Sequence, residues 1–224
     1  MSSRGIMAWD LPTRMVKWLL AATVVIAWAT NRYAVQHPDW HKWNGYAVLV
    51  LVVFRLLWGL YGSSTARFSS FVRSPLALAA YVRAQMQGGT RLFLGHNPLG
   101  GWMVIALLVA MAAQSVLGLF SAGDDYLSLQ GPLARLASVK TVDWATYLHR
   151  LGFDVILALA TIHVAANVSY DLFRRTGLIR GMITGRKPMG DYVDQTEVRG
   201  SRRGAAVCLA AACLIVYGAL RLLA

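Results

Sequence analysis

The sequence predicts an all-α integral membrane protein, and three observations carry that prediction. The 224 residues are 57% hydrophobic and 14% charged, whereas a soluble domain carries about a quarter charged residues. A soluble fold of this length has too little interior to hide so much apolar surface. Five apolar runs approach the roughly 20 residues that cross a hydrocarbon core, and Trp and Tyr gather near several of their ends, as interface-seeking aromatics do. The same composition excludes a disordered tail, a coiled coil and a secreted disulfide scaffold. The two cysteines, Cys208 and Cys213, support no disulfide framework.

The runs follow in order. The first covers Trp18 to Trp28 with its flanks. Ala27-Trp28-Ala29 imitates a signal-peptidase site, but Asp10 and Pro12 occupy the would-be basic region, so an uncleaved helix is expected. The second is Tyr46 to Tyr61, the third Leu99 to Phe120, the fourth Tyr147 to Tyr170 and the fifth Ala205 to Leu223. Between the second and third, Pro75 to Gln87 reads as a short helix lying on the membrane surface, ended by Gly88-Gly89. No tandem repeat or soluble domain is visible.

A net charge of +12 suits either nucleic acid or cytoplasmic loops that meet anionic lipid. The distribution favours the loops, so membrane lipid is the expected contact and nucleic acid is not. Arg4, Arg14 and Lys17 precede the first run; Arg67, Arg73, Arg83 and Arg91 follow the second; eight basic residues from Arg174 to Arg203 follow the fourth. The intervening loops are poorer in cations, with Arg32 and Lys42 in one, and Arg135 and Lys140 beside Asp124, Asp125 and Asp143 in the other. The positive-inside rule then places the N-terminus in the cytoplasm and the C-terminus, near Arg221, outside.

Ionisable residues inside a membrane are costly and need a reason. His149 and His163 share the fourth run fourteen residues apart, which is about four helical turns and roughly 21 Å along one face. His41 opens the second run at the depth of His149. Two imidazoles meeting across a bundle at one depth suit a six-coordinate haem, each offering a neutral nitrogen to the iron. Gly45, Gly118 and Gly152 lie near them and would let a flat macrocycle approach the backbone. Taken singly, a membrane histidine is more often a polar crosslink between helices, and the matching depths are what favour haem. Arg55, fourteen residues after His41, is a partner for an inner haem propionate or a snorkelling cation. Zinc is disfavoured, because two-residue contacts at separate depths do not close a tetrahedral site.

Longer blocks carry a resemblance. Trp9-Asp10-Leu11-Pro12-Thr13-Arg14, His41-Lys42-Trp43-Asn44-Gly45-Tyr46, Phe54-Arg55-Leu56-Leu57-Trp58-Gly59, Ala66-Arg67-Phe68, Gly95-His96-Asn97-Pro98-Leu99-Gly100-Gly101 and Thr184-Gly185-Arg186-Lys187 resemble the bacterial cytochrome b561 family. That family includes the cytochrome b subunits of membrane-bound Ni,Fe-hydrogenases. The resemblance runs from about Trp9 to Lys187 and implies a four-helix haem-binding bundle with two b haems, one toward each membrane face. His41 and His149 would ligate the outer haem and His163 the inner one. The fifth C-terminal transmembrane helix is an addition to this core. The expected organisation is a membrane domain over 1–187, with helices at about 14–33, 43–61, 99–121 and 145–170, a cytoplasmic linker over 188–203 and the fifth helix over 204–224.

One ligand departs from the family pattern: Lys17, followed by Trp18, stands where a first-helix histidine is usual. Three arrangements are open. Lys17 binds the inner iron as a neutral amine; or that haem is five-coordinate on His163, or takes another ligand such as His96; or it is missing. The reading adopted is an inner haem with Lys17 and His163. His96 is otherwise a propionate contact, a residue near quinone, or part of the helix-start turn that Asn97-Pro98 suits. His37 reads as an exposed loop residue, and Cys208 and Cys213 as small apolar fillers.

The implied function is that of an electron-carrying cytochrome b in the bacterial inner membrane. It would pass electrons between quinone and a periplasmic partner, a c-type cytochrome or a hydrogenase-like enzyme, with haem supplying the chemistry. The alternatives are dedicated service to a hydrogenase, and a haem sensor or haem-handling protein with an open or empty inner site. A non-haem transporter lacks support from inverted repeats or midplane helix breaks. Oligomeric state is left open.

Overall fold

A computed structural model of the chain describes residues 5–33, 37–89, 91–123, 130–194 and 198–223. Asp124, Asp125 and Arg4, used above for orientation, lie outside the described residues. The elements are β1 (Ile6–Met7), α1 (Leu11–Arg32), α2 (Pro38–Tyr61), α3 (Phe68–Phe71), α4 (Pro75–Met86), α5 (Pro98–Phe120), a 3-10 turn (Ala134–Leu136), α6 (Val139–Arg174), α7 (Leu178–Thr184), β2 (Arg186–Lys187) and α8 (Arg202–Leu223). α1, α2, α5, α6 and α8 are long and apolar enough to cross a membrane, and each contains one of the five apolar runs. Many of their large side chains are open to the surroundings, among them Leu60, Val109, Ile162 and Leu214. Such a surface is stable against lipid and unstable in water.

The helices begin earlier than their apolar runs because polar caps, outside those runs, set the starts. Asp10 Oδ1 accepts the Thr13 N–H at 2.9 Å to open α1. Ser74 Oγ accepts the Ala77 N–H ahead of α4, with Pro75 at the first helical position. Asn97 Oδ1 accepts the Gly100 N–H at 2.7 Å to open α5. Ser138 Oγ accepts the Thr141 N–H ahead of α6. α6 therefore has 36 residues, about 54 Å at the helical rise, well beyond a hydrocarbon core of about 30 Å. Its apolar run marks the part that meets lipid, and the polar ends project past it.

The chain divides into two compact units, with the division falling inside the long helices. The first unit comprises Met1–Met15, Leu56–Ala106 and Leu159–Ala206. Here β1 pairs antiparallel with β2, Ile6 opposite Lys187 and Met7 opposite Arg186. Gly185, at φ +82°, ends α7, and its carbonyl accepts the N–H groups of Ala8 and Trp9. That left-handed turn favours glycine. Trp9, Ala8 and Leu94 form a closed core against Met182 and Tyr192. The Asp194 carboxylate accepts the backbone N–H groups of Leu94 and Gly95, and the Val193 N–H donates to the Leu92 carbonyl. The start of the segment expected as a linker is thus tied down by hydrogen bonds. Lys187 is 2% exposed and donates from Nζ to the Phe93 carbonyl at 3.0 Å. Burial lowers its pKa to about 8, against the pull of the Asp194 and Asp171 carboxylates.

The second unit comprises Val16–Arg55, Leu107–Ala158 and Val207–Ala224. Its core joins Val48 and Val52 of α2, Met111 of α5 and Ile156 of α6, with Leu20 and Val24 of α1 packed against them. After α5 the chain folds back through bonds from the Gly131 N–H to the Ser121 carbonyl and from the Leu133 N–H to the Leu119 carbonyl. Thr146 on α6 accepts the Ala122 N–H.

Candidate functional site

Within the second unit, His41 in the first turns of α2 and His149 of α6 face one another. Their ring centroids are 6.3 Å apart and their planes cross at 86°. Each ring is held from behind through Nδ1. His149 Nδ1 lies 2.9 Å from the Gln114 carbonyl, which only accepts, so Nδ1 carries the proton. His41 Nδ1 lies 3.1 Å from Thr30 Oγ1. The Thr30 hydroxyl donates to the Ile26 carbonyl at 2.7 Å, and so accepts from His41. Both imidazoles are thereby fixed as tautomers whose Nε2 bears the lone pair, the form that binds a metal. Gln114 clamps α5 to α6 a second time, its Nε2 donating to the His149 carbonyl at 2.8 Å.

Small residues make the space. A Cβ on Gly118 would sit 2.9 Å from His149 Cε1, and one on Gly152 would sit 2.4 Å from Gln114 Oε1. A Cβ on Gly45 would meet nothing within 4 Å. The histidines and Gly45 and Gly118 line a cavity of about 640 Å³, within the range that holds cofactors. Gln114 Oε1 is buried there with no hydrogen-bond donor among the described residues. Arg32, Lys42, Arg150 and Asp154 also line the cavity.

The other expected residues are placed separately. Lys17, half-buried, and Arg55, 2% exposed, belong to the second unit; His96 and His163 belong to the first. His163 Nε2 is 3.1 Å from Asn167 Nδ2, one turn further along α6, and the same amide donates to the His163 carbonyl at 2.8 Å. His96 packs between Trp9 and Phe71, its ring centroid 4.6 Å from one and 4.5 Å from the other. It immediately precedes the Asn97 cap of α5. His37 is exposed and stacks on Trp40. Cys208 is buried in α8 and Cys213 is exposed.

Sequence reasoning missed Thr30, Gln114, Asn167 and Asp154. Gln114 and Asp154 had a usable signal, since an amide or a carboxylate inside an apolar run is costly and needs a reason. Thr30 had none, because its role depends on which face of α1 meets His41.

These features define a class: an all-helical, multi-pass membrane protein whose helices hold a fixed histidine pair over a cavity. The chain belongs to the prokaryotic cytochrome b561 family, whose model matches residues 8–185. It is also similar to the "Probable Ni/Fe-hydrogenase B-type cytochrome subunit" of Bradyrhizobium diazoefficiens. The two are 21% identical over 216 residues, covering 82% of this chain and 86% of that relative. No solved structure matches. The family is one of bacterial membrane b-type cytochromes and implies b-type haem. His41 and His149 fit that group: both Nε2 lone pairs are left available by the bonds to Nδ1, and the Gly45 side of the cavity is open where a side chain would stand.

Proposed function

We propose that this protein carries electrons between the quinone pool and a periplasmic redox partner through two b haems. The observation that carries the reading is the His41–His149 pair, with both rings backed at Nδ1 and facing one cavity. Haem, when bound, supplies one-electron redox chemistry. The chain supplies the ligands and a low-dielectric setting between apolar helices. His41 and His149 hold the outer haem; His163 and Lys17 hold the inner one, Lys17 as a deprotonated amine. Arg55 is the counter-charge for an inner propionate, and His96 stands by the inner group. The excess of cations at the N-terminus, after the second span and after the fourth gives a cytoplasmic N-terminus and a periplasmic C-terminus. The proposed core is 1–187, with the fifth helix packing on it or docking a partner.

A second reading is favoured by the hydrogenase-named relative, which this chain matches over most of both lengths. On that reading the periplasmic partner is a hydrogenase. A reduced quinol, added without oxygen to purified haem-loaded protein, tests the shared core of both readings. The expected outcome is reduced b-type bands within the mixing time of a stopped-flow experiment. Haem that dithionite reduces and quinol never does would contradict the link to quinone.

A further inference from the structure

We propose that Arg32 and Lys42 seat the carboxylates of the haem held between His41 and His149, and so fix which way round it enters. This rests on the haem reading above and goes beyond it. Charge is distributed unevenly around the cavity. Arg32 lies in the last turn of α1, two residues beyond Thr30, whose hydroxyl meets His41. Lys42 follows His41 at the start of α2, and both side chains line the cavity. Asp154, the cavity's one acidic lining residue among those described, lies five residues past His149 on α6, about 7.5 Å along the helix.

Arg32 and Lys42 therefore stand at the level of the ligands or beyond, at the end where α1 stops and α2 starts, while Arg150, one residue past His149 on α6, lies between that level and Asp154 in the chain. The acid stands on the opposite side of that level. A haem carries its two negative charges on one edge. With that edge at Arg32 and Lys42 the charges are opposed by two cations; turned over, they would approach the Asp154 carboxylate, where Arg150 is the single cation that lines the cavity on α6. The two cations are held for the task unequally. The Arg32 guanidinium lies over the Trp28 ring, 4.7 Å from its centre, which fixes its plane and leaves N–H groups for a carboxylate. Lys42 has a long contact of 3.9 Å to Asp39, a surface pair weak enough to exchange for a better partner.

The test measures haem loss from the loaded protein to excess apomyoglobin. Wild type, Arg32→Gln, Lys42→Gln and the double variant are compared, each with haem and with haem dimethyl ester, which lacks the carboxylate charges. The double variant is expected to lose haem about tenfold faster or more, while both proteins release the ester at one common rate. Lys140→Gln, away from the cavity, is expected to behave as wild type. Equal haem loss from wild type and double variant would overturn the proposal. So would an ester that responds to the substitutions as strongly as haem does, since the effect would then owe nothing to carboxylates. A double variant that fails to fold leaves Arg32→Lys as the readout, expected to stay near wild type where Arg32→Gln does not; equal rates in those two would also overturn it. Bands that survive unchanged in His149→Ala would remove the haem reading itself, and this inference with it.

Discussion

His149 and His163 stand fourteen residues apart on α6, yet their rings are tied by opposite nitrogens. His149 is held through Nδ1 by a carbonyl on α5, and its Nε2 faces His41 across a cavity. His163 has its Nε2 against an amide from its own helix, Asn167. The first arrangement suits a ligand prepared in advance, with tautomer and direction already set by the hydrogen bond to Nδ1. In the second, Nε2 already meets an amide of its own helix, and a metal there would have to displace the Asn167 amide first. The departure of Lys17 from the usual histidine lies in the same direction: the ligand set proposed for the inner haem is the less prepared of the two.

Filling the prepared site should have the largest effect. Gly118→Leu adds a side chain against the His149 ring, where even a Cβ would be 2.9 Å away. The account expects the outer haem to be lost while helix content by circular dichroism is kept; full haem content would break the comparison. Thr30→Val removes the acceptor at His41 Nδ1 and should weaken outer haem binding roughly tenfold, as loss of a ligand's hydrogen-bond partner does elsewhere. Haem titration of the apoprotein reads this directly.

At the other site, Asn167→Leu removes the amide that lies against His163 Nε2. Inner haem occupancy should rise by a few fold in affinity, the worth of one hydrogen bond; unchanged occupancy would mean that Asn167 does not compete with iron.

The smallest effect concerns the first unit's own buried cation. The Lys187 pKa is lowered to about 8 from 10.5, so between those values the unfolded segment binds more protons than the folded one. Its contribution to stability therefore rises with pH across that window and is flat below it. Hydrogen exchange at residues 91–95 should show this rise in wild type and lose it in Lys187→Met.

The parts of this picture that were legible in the sequence are local. An apolar run announces a span, and a histidine within one announces a polar purpose, so α1, α2, α5, α6, α8 and the three histidines could be marked without any fold. What could not be read depends on which faces meet. Thr30 and Gln114 gain their roles from the helix each faces, and no spacing in the chain encodes that contact. The pairing of Ile6–Met7 with Arg186–Lys187 joins two-residue strands just beyond either end of the match to the family, too short for any periodicity. The start of α6 at Val139 was hidden for another reason: hydropathy measures contact with lipid, while a Ser138 cap sets where the helix begins.

Haem b per polypeptide, measured by pyridine haemochrome on purified wild type, His41→Ala and His149→Ala, tests the central claim most directly. The account predicts about two haems in wild type and the loss of one in each variant. Wild-type haem content retained in both variants would contradict the His41–His149 site.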